Sequence, residues 1–193
     1  MRKVFFIIGL VIVALWFSFY TENLTERKRR EEMKELKPEQ LVSRLMTDSL
    51  AALEGRAISL EELVIHAGEA DFAQRHGRLL GIGSPTFYVV KGECDQAQVV
   101  NDEIHASVNG IALTIPLKYI FGNTARDASG WFDIDDFQNT MDFNAVSAAM
   151  NDYILKNMTP PHSDRRLKVL GAVAVKDGQV EQSVTIIPYQ LLQ

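Results

Sequence analysis

An uncharged run at the start of the chain constrains where the rest of the protein can fold. The run begins at Val4 and ends at Tyr20, directly after two basic residues. As a helix of about 1.5 Å per residue it spans roughly 26 Å, close to the ~30 Å hydrocarbon core of a bilayer. Trp16 and Tyr20 stand where aromatic side chains meet lipid headgroups. We therefore predict a transmembrane anchor over residues 1–21.

A cleaved secretory signal is the alternative interpretation of this run. The apolar part of such a signal covers about 7–15 residues and is followed by small residues at the cleavage site. Here the run is longer, and it ends in the bulky Phe19 and Tyr20. No cysteine lies near residue 20, so a lipid-attachment site of the bacterial lipoprotein kind is not expected. An uncleaved anchor is favoured, and cleavage stays open.

Charge alone does not orient this anchor. Arg2 and Lys3 precede it, and a basic cluster at residues 27–30 follows within about 15 residues of its end, so the positive-inside rule counts both flanks. Residues 22–38 are almost all polar, with opposite charges four positions apart. They are predicted to form a charged helical stalk that stops before Pro38.

The remaining residues, 39–193, are enough for one domain with a hydrophobic core. The chain carries a formal net charge of −5, and its surplus of acidic residues lies in this part. An acidic domain repels phosphate backbones, so we expect no nucleic-acid partner. Cys94 is the only cysteine, which excludes an internal disulfide and a cysteine-based zinc site.

Hydrophobic periodicity and turn residues predict an α+β order along the domain. Helices are expected over residues 39–54 and from Ser59 to about His76, the second opened by a Ser59–Glu62 capping box. Short strands are expected over residues 86–91, 97–101, 104–108, 111–117 and 119–121, with a turn at Asn109-Gly110. A loop over 122–130, a short stretch at 131–134 and a helix over 144–157 follow. A hairpin comes last, which turns at Asp177-Gly178 and returns over residues 180–187. The pattern favours a helical pair, then a small antiparallel barrel or strongly twisted sheet with one inserted helix.

One stretch of this domain resembles a known family. Residues 122–151 read GNTARDASGWFDIDDFQNTMDFNAVSAAMN, and the matching positions are Gly122, Arg126, Asp127, Ala128, Asp136, Phe137 and Asn151. The stretch resembles the domain-of-unknown-function 2291 family of predicted periplasmic lipoproteins. The upstream GIGSPTFYVVKGE and the closing KVLGAVAV are also similar, so the resemblance covers about residues 40–193.

The resemblance implies a periplasm-facing domain with an OB-type barrel, associated with sugar-type ABC transporters. The lipidated cysteine of the family is missing here, which implies a helical anchor in its place. The family's run before the loop is replaced by IPLKYIFG, which removes an arginine, and its Thr-Ala order becomes Asn123-Thr124-Ala125. The predicted location is the bacterial inner membrane, with a single pass and the domain of residues 39–193 in the periplasm.

The densest polar stretch gives the candidate binding residues. They are Arg126, Asp127, Asn123, Thr124, Trp131 and Asn139. A guanidinium donates in a planar fork, so Arg126 beside Asp127 suits a sugar-like or peptide ligand, with Trp131 as a stacking face. The alternative is structural: Arg126 and Asp127 tie the loop to the sheet through buried hydrogen bonds.

Asp133, Asp135 and Asp136 are a second candidate, for a hard cation such as Ca²⁺. The stretch lacks the glycine and distal glutamate of an EF-hand loop, and alternation with Phe132 and Ile134 places Asp133 and Asp135 on a solvent face. No G-x-S-x-G or H-E-x-x-H motif occurs. We therefore assign no catalytic residue, metal or cofactor.

Three functions remain open at this point. The favoured one is a membrane-anchored, periplasmic, non-catalytic binding or accessory module whose partner is a sugar-type ABC transporter or another envelope protein. The second is an envelope hydrolase that uses Asp127 with Asp133 or Asp135, with or without a metal ion. The third, a membrane-tethered cytoplasmic regulator, requires the basic cluster at residues 27–30 to set the topology.

Overall fold

A computed structural model describes residues 37–159, 166–180 and 183–192, together with Lys28 and Glu31. Within these residues no helix combines the length and the apolar character that a membrane crossing needs. The predicted anchor at residues 1–21 and most of the predicted stalk lie outside the described residues. The chain divides into two compact units, Met1–Leu36 and Lys37–Gln193, and the elements below belong to the second.

Four short helices open this unit: α1 (Pro38–Asp48), α2 (Leu50–Arg56), α3 (Leu60–His66) and α4 (Ala70–His76). The predicted helical pair is thus present, with a break in each member. The first break is at Ser49, whose ψ of 0° departs from helical geometry. The second is the turn at Gly68, whose backbone lies so close to Gly178 that a Cβ on Gly178 would stand 2.9 Å from the Gly68 Cα.

The predicted capping box is confirmed at the start of α3. The Ser59 N–H donates to the Glu62 carboxylate at 3.0 Å, and the Glu62 N–H donates to Ser59 Oγ at 3.1 Å. These two bonds satisfy amide donors that the first turn of a helix leaves open. They also fix the Glu62 carboxylate at the helix start.

The strands are β1 (Ile58–Ser59), β2 (Arg78–Leu79), β3 (Thr86–Val100), β4 (Glu103–Val108), β5 (Ile111–Pro116), β6 (Leu167–Val175), β7 (Ser183–Thr185) and β8 (Ile187–Leu192). The strands predicted at residues 86–91 and 97–101 are one strand, β3, which continues through a bulge at Gln96 with a φ of 54°. The Asn109-Gly110 turn has the positive φ angles, 48° and 84°, of the predicted hairpin turn.

The six main strands pair in the order β7-β5-β4-β3-β6-β8, and β1 and β2 add to β3. The β5–β7 pair is parallel, and the other four pairs of this order are antiparallel. The ends of the order, β7 and β8, follow each other in the chain with Ile186 between them. The prediction of an antiparallel barrel is therefore wrong in two respects. One strand pair is parallel, and the sheet does not close, because β7 and β8 are joined by one residue of chain and not by strand pairing.

The break at Ile186 also corrects the predicted hairpin return over residues 180–187. Its first part, β7, pairs with β5, and β8 pairs with β6. The Ile186 N–H donates to the Thr114 carbonyl at 2.9 Å. Its side chain lies against Gly171, where a Cβ would stand 2.3 Å from Ile186 Cγ2. The glycine in β6 thus leaves the space that the crossing chain occupies.

The described part of the segment between β5 and β6, residues 117–159, contains two α-helices, whereas the sequence predicts one. α5 (Thr124–Ser129) replaces the predicted loop over residues 122–130, and Gly130 ends it with a φ of 62°. α6 (Thr140–Asn157) begins earlier than predicted because Asn139 Oδ1 accepts the Asp142 N–H at 2.9 Å. Residues 119–121 form no strand.

A 3-10 turn, Ile134–Asp136, lies between α5 and α6 in place of the predicted strand-like alternation. Ile134 is consequently 52% exposed, while Asp133 and Asp135 are exposed as predicted.

One hydrophobic core lies between the sheet and α3 and α4. Its members include Leu60, Val90, Ile104, Ile115, Leu167, Val169 and Ile186. Burying each such side chain stabilises the fold by about 1.5–3 kcal/mol. α5 lies against β3 and β6, and α1 lies against α6. This arrangement places the end of α5 beside α2 and β2.

Candidate functional site

Arg126 and Asp127 are buried inside α5, at 4% and 5% exposure. Arg126 Nε and Nη2 lie 2.7 and 2.6 Å from Asp127 Oδ1. Arg126 Nη1 donates to the Phe143 carbonyl at 3.2 Å, and the guanidinium carbon is 3.6 Å from the centre of the Phe143 ring. These contacts link α5 to α6 rather than to the sheet.

Burial also governs the ionisable groups around this pair. It raises the pKa of Asp127, while the neighbouring Arg126 and, more weakly, Arg78 act to lower it. Burial likewise raises the pKa of Tyr189, whose hydroxyl donates to the Ala125 carbonyl at 2.6 Å. The beginning of α5 is therefore held by neutral and paired groups away from solvent.

The other predicted site residues have separate places. Asn123 precedes α5 without a side-chain capping bond, and Thr124 opens the helix. Trp131 is partly buried, with its ring 6.2 Å from that of Tyr189. Asn139 caps α6 through its side chain. Since Arg126 and Asp127 are enclosed and Asn139 is a cap, the six residues do not surround one open cavity, and ligand binding by them stays a prediction.

Two arginines from distant segments converge on the last turn of α5. Arg56, the end of α2, donates through Nη2 to the carbonyls of Ala128, at 3.0 Å, and of Ser129. Arg78 in β2 donates through Nη1 to the Asp127 carbonyl at 3.2 Å. The last carbonyls of a helix carry partial negative charge and lack partners within the helix, so they attract cations.

Arg78 also holds the segment that follows α5. Its Nη2 donates to the Phe132 carbonyl at 2.9 Å and pairs with the Asp133 carboxylate. Gly130 lies between the two guanidinium groups: a Cβ there would stand 3.4 Å from Arg56 Nη1 and 3.6 Å from Arg78 Nη1. Burial lowers the pKa of Arg56, and repulsion from Arg78 lowers it further against an opposing effect of Tyr189. Two cations are thus held close together.

A cavity of about 540 Å³ opens beside these arginines. We call it the arginine pocket; its polar lining residues are Arg56, Arg75, Arg78, His76 and Glu62. Apolar side chains that include Phe87 and Val89 line the rest. Within the described part of the chain, Arg56 and Arg75 form no ion pair. Guanidinium groups donate in planar forks that fit carboxylates and phosphates, so the pocket is suited to an anionic group.

The arginine pocket could not be predicted from the sequence. Its charged residues come from α2, α3, α4 and β2, and only the fold brings these elements together. The available signal was the Arg75-His76-Gly77-Arg78 stretch, a basic cluster in an acidic domain. No spacing rule connects that cluster with Arg56.

The structure does not group Asp133, Asp135 and Asp136 in the way that metal ligands are grouped. Among the described residues no group of three or more His, Cys, Asp and Glu side chains has the arrangement that a metal ion needs. The Asp136 carboxylate instead accepts the Asp133 N–H at 3.0 Å, which caps the 3-10 turn. The aspartates thus stabilise the chain between α5 and α6.

Two comparisons with known proteins bear on this chain. The model of a family described as predicted periplasmic lipoprotein (DUF2291) matches residues 9–192, which confirms the resemblance seen in the sequence. An OB-fold protein from Thermotoga maritima has a similar crystal structure, with a TM-score of 0.70 at 18% identity over 82% of this chain and 99% of that chain. This likeness supports the OB-type fold. Among the curated proteins, none matches this sequence.

Proposed function

The chain belongs to the DUF2291 family of predicted periplasmic lipoproteins, and we propose that it is a membrane-anchored, periplasm-facing module that binds an anionic group without catalysis. Lipid attachment requires a cysteine, and the only one, Cys94, is buried within β3. We propose that the uncharged run of residues 4–20 is instead a single-pass anchor in this member of the family.

The arginine pocket is the observation that carries the binding function. Among the described residues, three guanidinium groups and one carboxylate line it, although acidic residues outnumber basic ones over the whole chain. Arg56 and Arg78 are both positively charged, so holding them close together costs electrostatic free energy through their mutual repulsion. A bound carboxylate or phosphate would offset that repulsion. Such a gain favours an anionic ligand over a neutral one.

The hydrolase alternative receives less support from the positions of its residues. It needs Asp127 beside Asp133 or Asp135 at an open surface. Asp127 is buried and paired with Arg126, whereas Asp133 and Asp135 lie on the exposed segment after α5. A general acid or base must reach a substrate proton within about 3 Å, directly or through one water. We therefore favour the non-catalytic binding function over the hydrolase.

We propose that the partner is a sugar-type ABC transporter. This proposal rests on the resemblance of the sequence to the DUF2291 family. Purification of the full-length protein from its native membranes in mild detergent, with mass spectrometry of the bound proteins, tests this part. The expected result is recovery of a transporter permease or its sugar-binding protein. Recovery of the protein alone, at good yield, would contradict it.

Calorimetric titration tests the anionic ligand. The full-length protein in mild detergent is titrated with inorganic phosphate and, separately, with succinate, at neutral pH and constant ionic strength. Arg75→Gln removes one guanidinium of the pocket and leaves α5 untouched, because Arg75 Nε donates within its own helix, to the Asp71 carbonyl at 3.2 Å. We expect its affinity for at least one anion to fall about ten-fold, equivalent to ~1.4 kcal/mol.

Arg166→Gln is the matched control. Arg166 is exposed, pairs with Glu93 at 3.6 Å and does not line the pocket. Its loss should leave the affinity unchanged. If neither anion binds measurably, or if Arg75→Gln and Arg166→Gln change the affinity equally, the proposal is contradicted.

A further inference from the structure

Two exposed aromatic rings stack on each other on the segment after β5. Tyr119 is 63% exposed and Phe121 is 81% exposed. Their rings are nearly parallel, with 17° between the planes and 6.1 Å between the centroids. Ile120, between them in the chain, is buried. This alternation directs both rings outward. Packing in the domain core therefore does not explain why these two positions are aromatic.

The segment that carries these rings is fixed at both ends. At its start the Leu117 N–H donates to the Asp102 carbonyl at 2.9 Å, and Lys118 Nζ lies 3.1 Å from the Asp102 carboxylate. At its end Asn151 Nδ2 donates to the carbonyls of Ile120, at 3.3 Å, and Gly122, at 3.1 Å. A surface held in this way loses little conformational entropy when it binds a ligand.

A groove of about 530 Å³ adjoins this aromatic pair. Phe121 lines it, and the polar residues along it include Thr124, Lys176, Asp177, Gln179 and Thr185. The lysine and the aspartate offset each other in charge. The other polar side chains among the described lining residues carry hydroxyls and an amide, which both donate and accept hydrogen bonds. None of the described residues lines both the groove and the arginine pocket.

We propose that Tyr119 and Phe121, with the adjoining groove, bind a neutral carbohydrate. A pyranose ring has one flat face of C–H groups and a rim of hydroxyls. The negative face of an aromatic ring attracts the C–H face, and the hydroxyl and amide groups of Thr124, Gln179 and Thr185 suit the rim. A nucleobase would also stack, but the acidic domain repels the phosphates that accompany it. This site goes beyond the anion-binding function proposed above.

Saturation-transfer NMR tests the proposal with the full-length protein in mild detergent. The probes are D-glucose, maltotriose and triacetylchitotriose. The expected result is transfer to the C–H protons of one sugar face for at least one probe. Phe121→Ser should weaken that binding about ten-fold or more, as loss of a stacking ring does in other sites. Phe121→Trp should retain it, because the flat ring is kept.

Ile82→Ser is the control, because Ile82 is a fully exposed apolar side chain on the loop between β2 and β3. It should leave sugar binding unchanged. Thermal melting of Phe121→Ser is compared with that of the unmodified chain to show that the fold is kept. No transfer to any of the three sugars, or equal transfer in the chain with Phe121→Ser, would overturn the proposal. Failure here leaves the phosphate titration of the arginine pocket unaffected, so the two proposals are tested separately.

Discussion

Arg126 pairs with Asp127, its next neighbour in the chain, and the pair lies inside the protein. Two nitrogens of the Arg126 guanidinium lie within 2.7 Å of one Asp127 oxygen, and a third donates to the Phe143 carbonyl. The guanidinium is also in contact with the face of the Phe143 ring. The residue that most resembled a ligand clamp in the sequence therefore connects α5 with α6.

Arg126→Gln should destabilise the fold at neutral pH by about 3–5 kcal/mol, because it leaves a buried carboxylate without its counter-charge. Urea unfolding measures this free energy. Arg166→Gln, which removes an exposed arginine, should change it by less than about 0.5 kcal/mol. A loss below about 1 kcal/mol for Arg126→Gln would show that the pair is not important for stability.

The same variant should recover part of its stability in acid. Burial raises the pKa of Asp127, and Arg126 is the main opposing influence, so its loss should raise that pKa further. A carboxyl with a raised pKa binds its proton more tightly in the folded state. Its contribution to stability is therefore largest below the unfolded pKa, about 3.9, and is lost as the pH rises through the folded pKa. Urea unfolding at a series of pH values should show a smaller penalty in acid; a penalty that grows in acid would contradict this.

Gly171→Ala should destabilise the protein by about 3 kcal/mol, at the upper end of what overpacking a core costs. A Cβ at Gly171 would stand 2.3 Å from Ile186 Cγ2 and 2.8 Å from the Ile187 carbonyl oxygen, where the chain crosses from β7 to β8. Gly55→Ala is the control, because a Cβ in that helix meets nothing within 4 Å. It should be neutral or stabilising by up to ~1 kcal/mol. Equal stability of the two variants would mean that the crossing does not require glycine.

Glu62→Gln should strengthen phosphate binding, because Glu62 is the one carboxylate among the described residues that line the arginine pocket. Removing one negative charge from a cationic pocket raises its attraction for an anion, and we expect a change of about three-fold or more. Calorimetric titration compares the variant with Glu61→Gln, a neighbouring glutamate that does not line the pocket. Weaker binding by Glu62→Gln would contradict the electrostatic argument.

The same carboxylate makes the α3 cap sensitive to pH. Its hydrogen bond from the Ser59 backbone holds the pKa of Glu62 below its ordinary value. A lowered pKa contributes stability above the unfolded pKa, about 4.3, which is lost as the pH falls through the folded pKa. The melting temperature of the unmodified chain should therefore exceed that of Glu62→Gln at neutral pH and approach it in acid. A gap that widened in acid would argue against the cap.

The sequence predicted those parts of the fold that a few neighbouring residues determine. The Ser59–Glu62 capping box and the Asn109-Gly110 turn depend on local hydrogen bonds and on positive φ angles, so their residue types suffice. The break at Ile186 depends on an absent side chain at Gly171 in another strand. No periodicity within residues 180–192 could show it.

The candidate site shows the same division. The Arg126–Asp127 stretch stands out in the sequence because its polar residues are adjacent, but adjacency does not show whether their side chains are buried. Arg56 and Arg78 meet only because the fold brings α2 and β2 to the end of α5. Such a convergence depends on tertiary contacts, so the local sequence around each arginine does not predict it.

The most direct test of the arginine pocket observes the guanidinium groups themselves. Arginine Nε–H signals of the ¹⁵N-labelled full-length protein are followed by NMR while inorganic phosphate is added at constant ionic strength. We predict saturable shifts for Arg56, Arg75 and Arg78, with no comparable shift for Arg166. Shifts of equal size at Arg166, or none at the three pocket arginines, would contradict an anion-binding function for this protein.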